Sequence, residues 1–444
     1  MNSNSFNRRI IHGHRLNHSL KQLVKHSGKI GRRTTRLYTT GICRQNPLRI
    51  ILLLQSSKTT LVNTSQPLRS GRIRLDYIDA LRGLAAVMVM VCHCTQVDAS
   101  IVLPAPVSKM MEAFKYGVQL FFVISAFTIF YSLYRSDTST HNFFVRRFFR
   151  IAPLYFVAVA AYGFLYDSDA AGIGSNLVFL HGLSPKYINS VVPGGWSIGV
   201  EMLFYCLVPL LFRRVTNLRL ALCFFLGAVL LSFFLFYGYR KFVTPTAHLE
   251  SYMYFWLPNQ LPAFGIGMII YFLTFHNHPT FFKGLFFPLV LTSFLVILGI
   301  MTRYRFFGEH ILFALACGLF IFLLKFRSFP GLVNKATLFL GKISYSLYLS
   351  QYAAINILQK TGLFSFFKEK TGATPYLNTA INFSLLLVVT IIISYVTFRL
   401  IEQPFQNFGK RFLKKKIPLM PIPVNEKGSV RYAFPTQPTT EGKN

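Results

Sequence analysis

Residues 76–93 read Asp76-Tyr77-Ile78-Asp79-Ala80-Leu81-Arg82-Gly83-Leu84-Ala85-Ala86-Val87-Met88-Val89-Met90-Val91-Cys92-His93. From Leu84 the run is almost wholly apolar, and about 20 such residues cross a bilayer as a helix. The first expected span is therefore 78–97. Besides Asp79 near its start it carries Arg82 and, deep in the run, His93; ionisable side chains are costly inside a membrane and mark function by default. Arg82 and His93 are eleven residues apart. That is almost three whole helical turns, so both project from one face, about 16 Å apart along the axis. They can line one tunnel, with Arg82 near the cytoplasmic mouth and His93 near mid-membrane. Asp79 lies one turn before Arg82 and is placed to pair with it. A helix-to-helix hydrogen bond for His93 and snorkelling for Arg82 are the structural alternatives, and the shared spacing favours a common site. Cys92-His93-Cys94 does not read as a metal site. Positions i and i+2 of a helix face apart, so the three cannot close on one ion, and no metal is expected.

The surrounding chain agrees with a membrane protein. Of 444 residues, 52% are apolar and only 14% charged, against about a quarter charged in soluble domains. Nine further apolar runs are expected spans: 116–134, 151–167, 196–212, 218–237, 255–275, 284–301, 309–326, 343–359 and 379–399. The expected fold is all-α: a polytopic integral membrane protein of about ten transmembrane helices. An even number puts both termini on one side, and the basic head and the Lys414–Lys416 cluster place that side in the cytoplasm. No internal repeat is visible, and no Cys-x-x-Cys pair occurs among the six cysteines.

The net charge is +33. Residues 1–75 hold fifteen Lys and Arg and no acid. The segment 1–73 is expected to be disordered or a mis-called start. Three readings stay open: a basic arm on anionic lipid, an organelle transit peptide, or an extension that is not translated. The membrane domain is 74–410, and 411–444 is a basic, polar cytoplasmic tail. The charge is read as a partner for anionic lipids, not for nucleic acid.

Three further segments carry chemistry. Arg146, Arg147 and Arg150 interleave with Phe between spans two and three. Guanidiniums grip phosphate bidentately, so the cluster suits a polyphosphate ligand. The alternative is an anchor on lipid phosphates. Pro193-Gly194-Gly195-Trp196-Ser197-Ile198-Gly199-Val200-Glu201 opens span four. Gly-Gly permits a sharp turn, Trp196 belongs at the interface, and Glu201 lies on the face of Ser197, where a buried carboxylate needs a partner. Gly341-Lys342-Ile343-Ser344-Tyr345-Ser346 opens span nine with a hydroxyl-rich face, which reads first as helix-to-helix hydrogen bonding.

Together these segments resemble the membrane-bound acyltransferase 3 family of integral membrane O-acyltransferases, over roughly Arg74 to Phe408. The matching pieces are Asp79-Ala-Leu-Arg82-Gly83 with His93, Phe121-Phe122-Val-Ile-Ser125, Arg146-Arg147-Phe-Phe-Arg150-Ile-Ala-Pro153, Trp196-Ser197-Ile-Gly-Val-Glu201 with Phe204-Tyr205, Gly341-Lys342-Ile-Ser344-Tyr345-Ser346-Leu-Tyr348-Leu, and Ile401-Glu402-Gln-Pro404-Phe405. The resemblance implies transfer of an acyl group, acetyl first, from cytoplasmic acyl-CoA to a hydroxyl of a cell-surface or exopolysaccharide glycan. It makes Arg82 and His93 the functional pair and gives Arg146, Arg147 and Arg150 to the donor. Two departures stand out: Gln119 and Ala126 replace Asp and Gly, and Ser350-Gln351 replaces a tryptophan-histidine pair.

The expected catalytic residues are His93, Arg82 and Glu201, supported by Asp79, Ser125, Trp196, Ser197, Tyr205 and Tyr345. No cofactor is held permanently, and acyl-CoA is a substrate. An imidazole titrating near neutrality suits deprotonation of the acceptor hydroxyl, and a transient acyl-histidine is equally open. Ser197, Tyr205 or a backbone amide could polarise the carbonyl. The outer loop Ser168–Pro193, with His181, is the expected acceptor-selecting element. The expected location is the cytoplasmic membrane. The rival reading is a transporter or flippase of glycans or lipid-linked carriers, which would spread ionisable groups over many spans; only His93 and Glu201 lie deep.

Overall fold

In the computed structural model, residues 75–98, 100–135, 139–244, 246–275, 308–326, 329–363 and 373–414 are described. The expected segment 1–73, most of the tail 411–444 and the seventh expected span, 284–301, lie outside them. Every regular element among the described residues is helical, and none is a strand. Among the described residues, six helices or helix runs are long and apolar enough to cross a membrane: 76–94, 105–134, 140–165, 196–214, 218–242 and 374–412.

Helix α1, Asp76–Cys94, realises the first expected span, with His93 in its last turn rather than midway. A short α2, Ala105–Ala113, leads into α3, Gly117–Arg135. Helix α4 runs from Thr140 to Leu165. It begins well before the expected start at 151, because Ser139 caps it by accepting from the Asn142 amide. The three arginines therefore stand inside a membrane-length helix, in its first three turns, and not in a connecting segment. Pro153 is tolerated within it. Helix α5, Ala170–Leu177, belongs to the loop that leads to α6, Trp196–Arg214. Helix α7, Leu218–Phe242, follows, capped by Asn217. The sixth expected span, 255–275, is realised as α9, Leu257–Phe275, which a turn at Trp256 separates from a preceding short helix α8, Ala247–Phe255. Next come α10, Glu309–Leu323, α11, Lys335–Lys342, and α12, Ser344–Thr361. Helix α13, Thr374–Thr397, passes through a π turn, Phe398–Glu402, into α14, Gln403–Gly409.

Side-chain contacts fix how these helices run. Thr128, late in α3, meets Arg82, early in α1, whereas Gly117 at the start of α3 lies against Ala85, Met88 and Val89. The pair is antiparallel. Tyr345 donates to the Ile151 carbonyl and Tyr162 donates to the Leu349 carbonyl, so α12 and α4 are parallel. The buried core includes Phe122, Phe127, Phe130, Phe204 and Phe264, with Phe204 stacked on Phe264 at 3.8 Å between ring centroids.

The tightest crossing is between α1 and α11. A Cβ on Gly341 would stand 1.9 Å from the Asp79 carbonyl oxygen, and one on Gly83 would stand 2.7 Å from the Gly341 nitrogen. The two backbones touch there with no side chain between them, as small residues allow in membrane helices. Gly341→Ala should therefore force the helices apart. Overpacking of this kind costs about 1–3 kcal/mol, and the expected outcome is a lower thermal unfolding midpoint in detergent than for Gly331→Ala, where a Cβ meets open space.

Candidate active site

The cavity of interest lies among five helices and encloses about 640 Å3 of atom-free space, including its solvent-open part. Arg82 from α1, Arg147 and Arg150 from α4, and Glu201 from α6 supply its charge. Ser125, Ser197, Tyr205, Ser344, Tyr345 and Tyr348 supply hydroxyls, and Val118, Phe121, Phe122, Ile151 and Ile198 supply apolar wall. Residues drawn from positions 82 to 348 of the chain thus meet in one space.

The charges are arranged unequally. The Arg82 guanidinium donates to Asp79 at 3.1 Å on its own helix and to Thr128 Oγ1 at 3.1 Å on α3. Its charge is answered and its fork is held. Glu201 Oε1 accepts from Ser125 Oγ at 2.6 Å and from Tyr205 OH at 2.5 Å. Arg147 stands over the Tyr205 ring at 5.4 Å and the Phe143 ring at 5.9 Å, within cation–π range. Among the described residues, neither Arg147 nor Arg150 forms an ion pair with a carboxylate. Two guanidiniums therefore face the cavity with donors to spare, which is the condition for gripping an anion.

At the other wall Ser197 Oγ, Tyr348 OH and the Gly194 carbonyl form a triangle with sides of 2.8, 2.9 and 3.0 Å. Gly194 has φ +77 and a Cβ there would stand 3.1 Å from Tyr348 OH, so the expected Gly-Gly turn is also what admits the tyrosine. Tyr345 reaches across to α4 at 2.7 Å.

Of the residues singled out in the sequence, Arg82, Arg147, Arg150, Glu201, Ser125, Ser197, Tyr205 and Tyr345 line this one cavity. Asp79 stands behind Arg82. Arg146 is not in the lining, so the structure brings Arg82 to the other two arginines in its place. Trp196 packs instead against Phe255, at 4.5 Å, and Phe122, at 6.1 Å. His93 also lies outside the lining. Its ring nitrogens are 3.0 and 3.2 Å from the Tyr352 hydroxyl of α12, and the two rings are 4.7 Å apart. His181, expected in the acceptor-selecting loop, is buried: Nε2 lies 3.1 Å from the Gly195 carbonyl and 3.2 Å from Tyr155 OH. It pins the loop beneath α6. Outside the bundle, Asp169 of that loop accepts from Lys186 at 2.9 Å, from Tyr187 and from the Gly172 amide. The Lys186 bond is the first cause that holds its carboxyl below the usual range.

Sequence reading gave no individual role to Thr128, Tyr348 or Tyr352, although Tyr348 stood in the quoted Gly341–Leu349 motif. The signal was present for two of them. Tyr345, Tyr348 and Tyr352 recur at spacings of three and four, so they share a face of α12.

The Glu201 cluster makes a measurable demand. Glu201→Leu removes the acceptor that Ser125 and Tyr205 share; their hydroxyls stand 3.4 Å apart, so one can donate to the other and one donor is stranded, at about 1–3 kcal/mol. Tyr205→Phe removes one donor only. The unfolding midpoint should fall distinctly further for Glu201→Leu than for Tyr205→Phe.

Comparison with known proteins gives a family model described as an acyltransferase domain, which matches residues 75–399. Among relatives, a protein named as an acetyltransferase, ORF330 of Acidianus two-tailed virus, is 27% identical over 68% of this chain and 91% of its own length. The exopolysaccharide production protein ExoZ of Rhizobium meliloti is 27% identical over 56% of this chain and 78% of its own. The acyltransferase MdmB of Streptomyces mycarofaciens is 26% identical over 33% and 41%. No solved structure matches the chain.

Proposed function

The chain belongs to this acyltransferase family and is a multi-pass membrane enzyme, and on that premise we propose that it moves an acyl group from cytoplasmic acyl-CoA to a hydroxyl of a surface glycan. The observation that carries the reading is the cavity in which Arg82, Arg147 and Arg150 converge with two guanidiniums unpaired among the described residues. A coenzyme A ester is a polyanion with a long flexible arm, and its phosphates fit that end. The name of the exopolysaccharide relative supports a glycan acceptor.

In this reading the protein crosses the cytoplasmic membrane about ten times with both termini inside. The parallel course of α1, α4 and α12, and the opposite course of α3, agree with that order of spans. The arginines then sit at the cytoplasmic ends of α1 and α4, where positive residues concentrate.

The chemistry follows from the distance between the two ends. The phosphates bind at Arg82, Arg147 and Arg150, and the pantetheine arm runs along α1 toward His93. His93 takes the proton of the acceptor hydroxyl as its oxygen attacks the thioester carbonyl. The C–S bond breaks, and the coenzyme A thiolate leaves with the proton that His93 returns. Glu201 sits beneath Tyr205 and Arg147 and holds the hydroxyl wall of the donor end in register. Anionic lipids would meet the basic segments at the same face.

Radiolabelled acetyl-CoA incubated with membranes from expressing cells should label the surface polysaccharide. His93→Ala and Arg82→Ala should abolish labelling while the protein still inserts at normal levels. Arg150→Ala should raise the KM for acetyl-CoA about tenfold, the size of one lost charge-assisted bond, with a smaller change in kcat. Normal glycan acetylation by a well-expressed His93→Ala variant would overturn the assignment, and glycan movement without acetyl-CoA would favour the transporter reading.

A further inference from the structure

The polar face of α12 does not stop at the cavity. Tyr345 and Tyr348 line the donor end. One turn on, Tyr352 meets His93. One turn further, Asn356 Nδ2 donates to Tyr166 OH at 2.9 Å and to the Tyr352 carbonyl at 2.9 Å. Residues 345, 348, 352 and 356 form one stripe about 16 Å long. It runs parallel to the line from Arg82 to His93, toward the far ends of α1 and α4.

Tyr166 lies at the end of α4 and is 45% exposed. A tyrosine that merely anchors a helix at the interface turns its hydroxyl to the headgroups. This one is tied at its hydroxyl to a second helix by a solvent-exposed bond, and its ring lies parallel to Tyr162, 6.0 Å away with 8° between planes. Asn356 makes both of these bonds with its amide nitrogen. Its Oδ1 accepts no bond among the described residues, and the Tyr166 proton is likewise unspent. One free acceptor and one free donor, side by side on a half-open aromatic ledge, match what a sugar hydroxyl offers, since it both donates and accepts.

We infer that Tyr166, Tyr352 and Asn356 form the acceptor-sugar subsite. Tyr166 and Asn356 receive a pyranose ring, and Tyr352 is a positioning residue that orients the His93 imidazole toward it. This rests on the acyltransfer reading above and deepens it: the donor enters at the arginine end, and the sugar arrives at the opposite end of the same stripe.

The test uses the full chain in nanodiscs with methyl β-D-glucopyranoside and cellobiose as probes. Saturation-transfer NMR should show contact to ring C–H protons. Tyr166→Leu and Asn356→Leu should weaken sugar binding about tenfold, as for one lost hydrogen bond, with coenzyme A binding unchanged. Tyr352→Phe should leave coenzyme A binding intact but move the His93 imidazole 15N resonances. No contact with either sugar in the unaltered protein, or equal contact in both leucine variants, overturns the subsite. Loss of coenzyme A binding in the unaltered protein would overturn the donor reading instead, so the two failures are distinguishable.

Discussion

A full positive charge must be held inside an apolar bundle, and the rest of the structure answers to that. Arg82 cannot snorkel freely, because Asp79 and Thr128 hold two of its nitrogens at 3.1 Å. Thr128 is on α3, so the bond ties the two helices at one level. The carbonyl of the same Asp79 is where Gly341 makes its closest approach, and three residues beyond Gly341 the cavity wall begins at Ser344. An unpaired charge in low dielectric is too costly to leave without partners, so side chains on two helices, and a third packed without Cβ atoms, are committed to one point.

With Arg82 answered by Asp79, the remaining charges of the cavity become available for something else. Glu201 could in principle have neutralised Arg147. It accepts instead from Ser125 and Tyr205, and Arg147 rests on the Tyr205 ring. The carboxylate thus supports the arginine through an aromatic face without consuming its hydrogen-bond donors. A cation–π contact leaves the guanidinium edge free, which an ion pair would not. Positive charge at this end is therefore left without an ion pair among the described residues while its energetic cost is lowered.

Much of this was legible in the chain. The arginine cluster, the Trp-Ser-x-x-x-Glu run and the Ser-Tyr-Ser face each announced themselves by charge or hydroxyl content in apolar surroundings, and eight of the twelve singled-out residues line one cavity. What was hidden was which side of a helix each residue takes. Arg146 and Arg147 are neighbours in sequence, and only the 100° step between them decides that Arg147 lines the cavity and Arg146 does not. The early start of α4 was hidden by its polar first turns, which Ser139 nucleates. The role of His181 was hidden because burial beneath Gly195 leaves no mark on periodicity.

The departure at Ser350-Gln351 gains a physical meaning from Tyr352. Gln351 is buried, and its amide donates back to the Tyr348 carbonyl, so this stretch of α12 offers no second imidazole. The next residue does the work of contact instead, its phenol reaching both nitrogens of His93. A tyrosine hydroxyl can donate to or accept from an imidazole in either tautomer, so it can hold the ring before and after a proton moves. A second histidine would compete for that proton. Among the described residues His93 is the imidazole that this face of α12 meets, so in the proposed mechanism the acceptor's proton has a single group to go to.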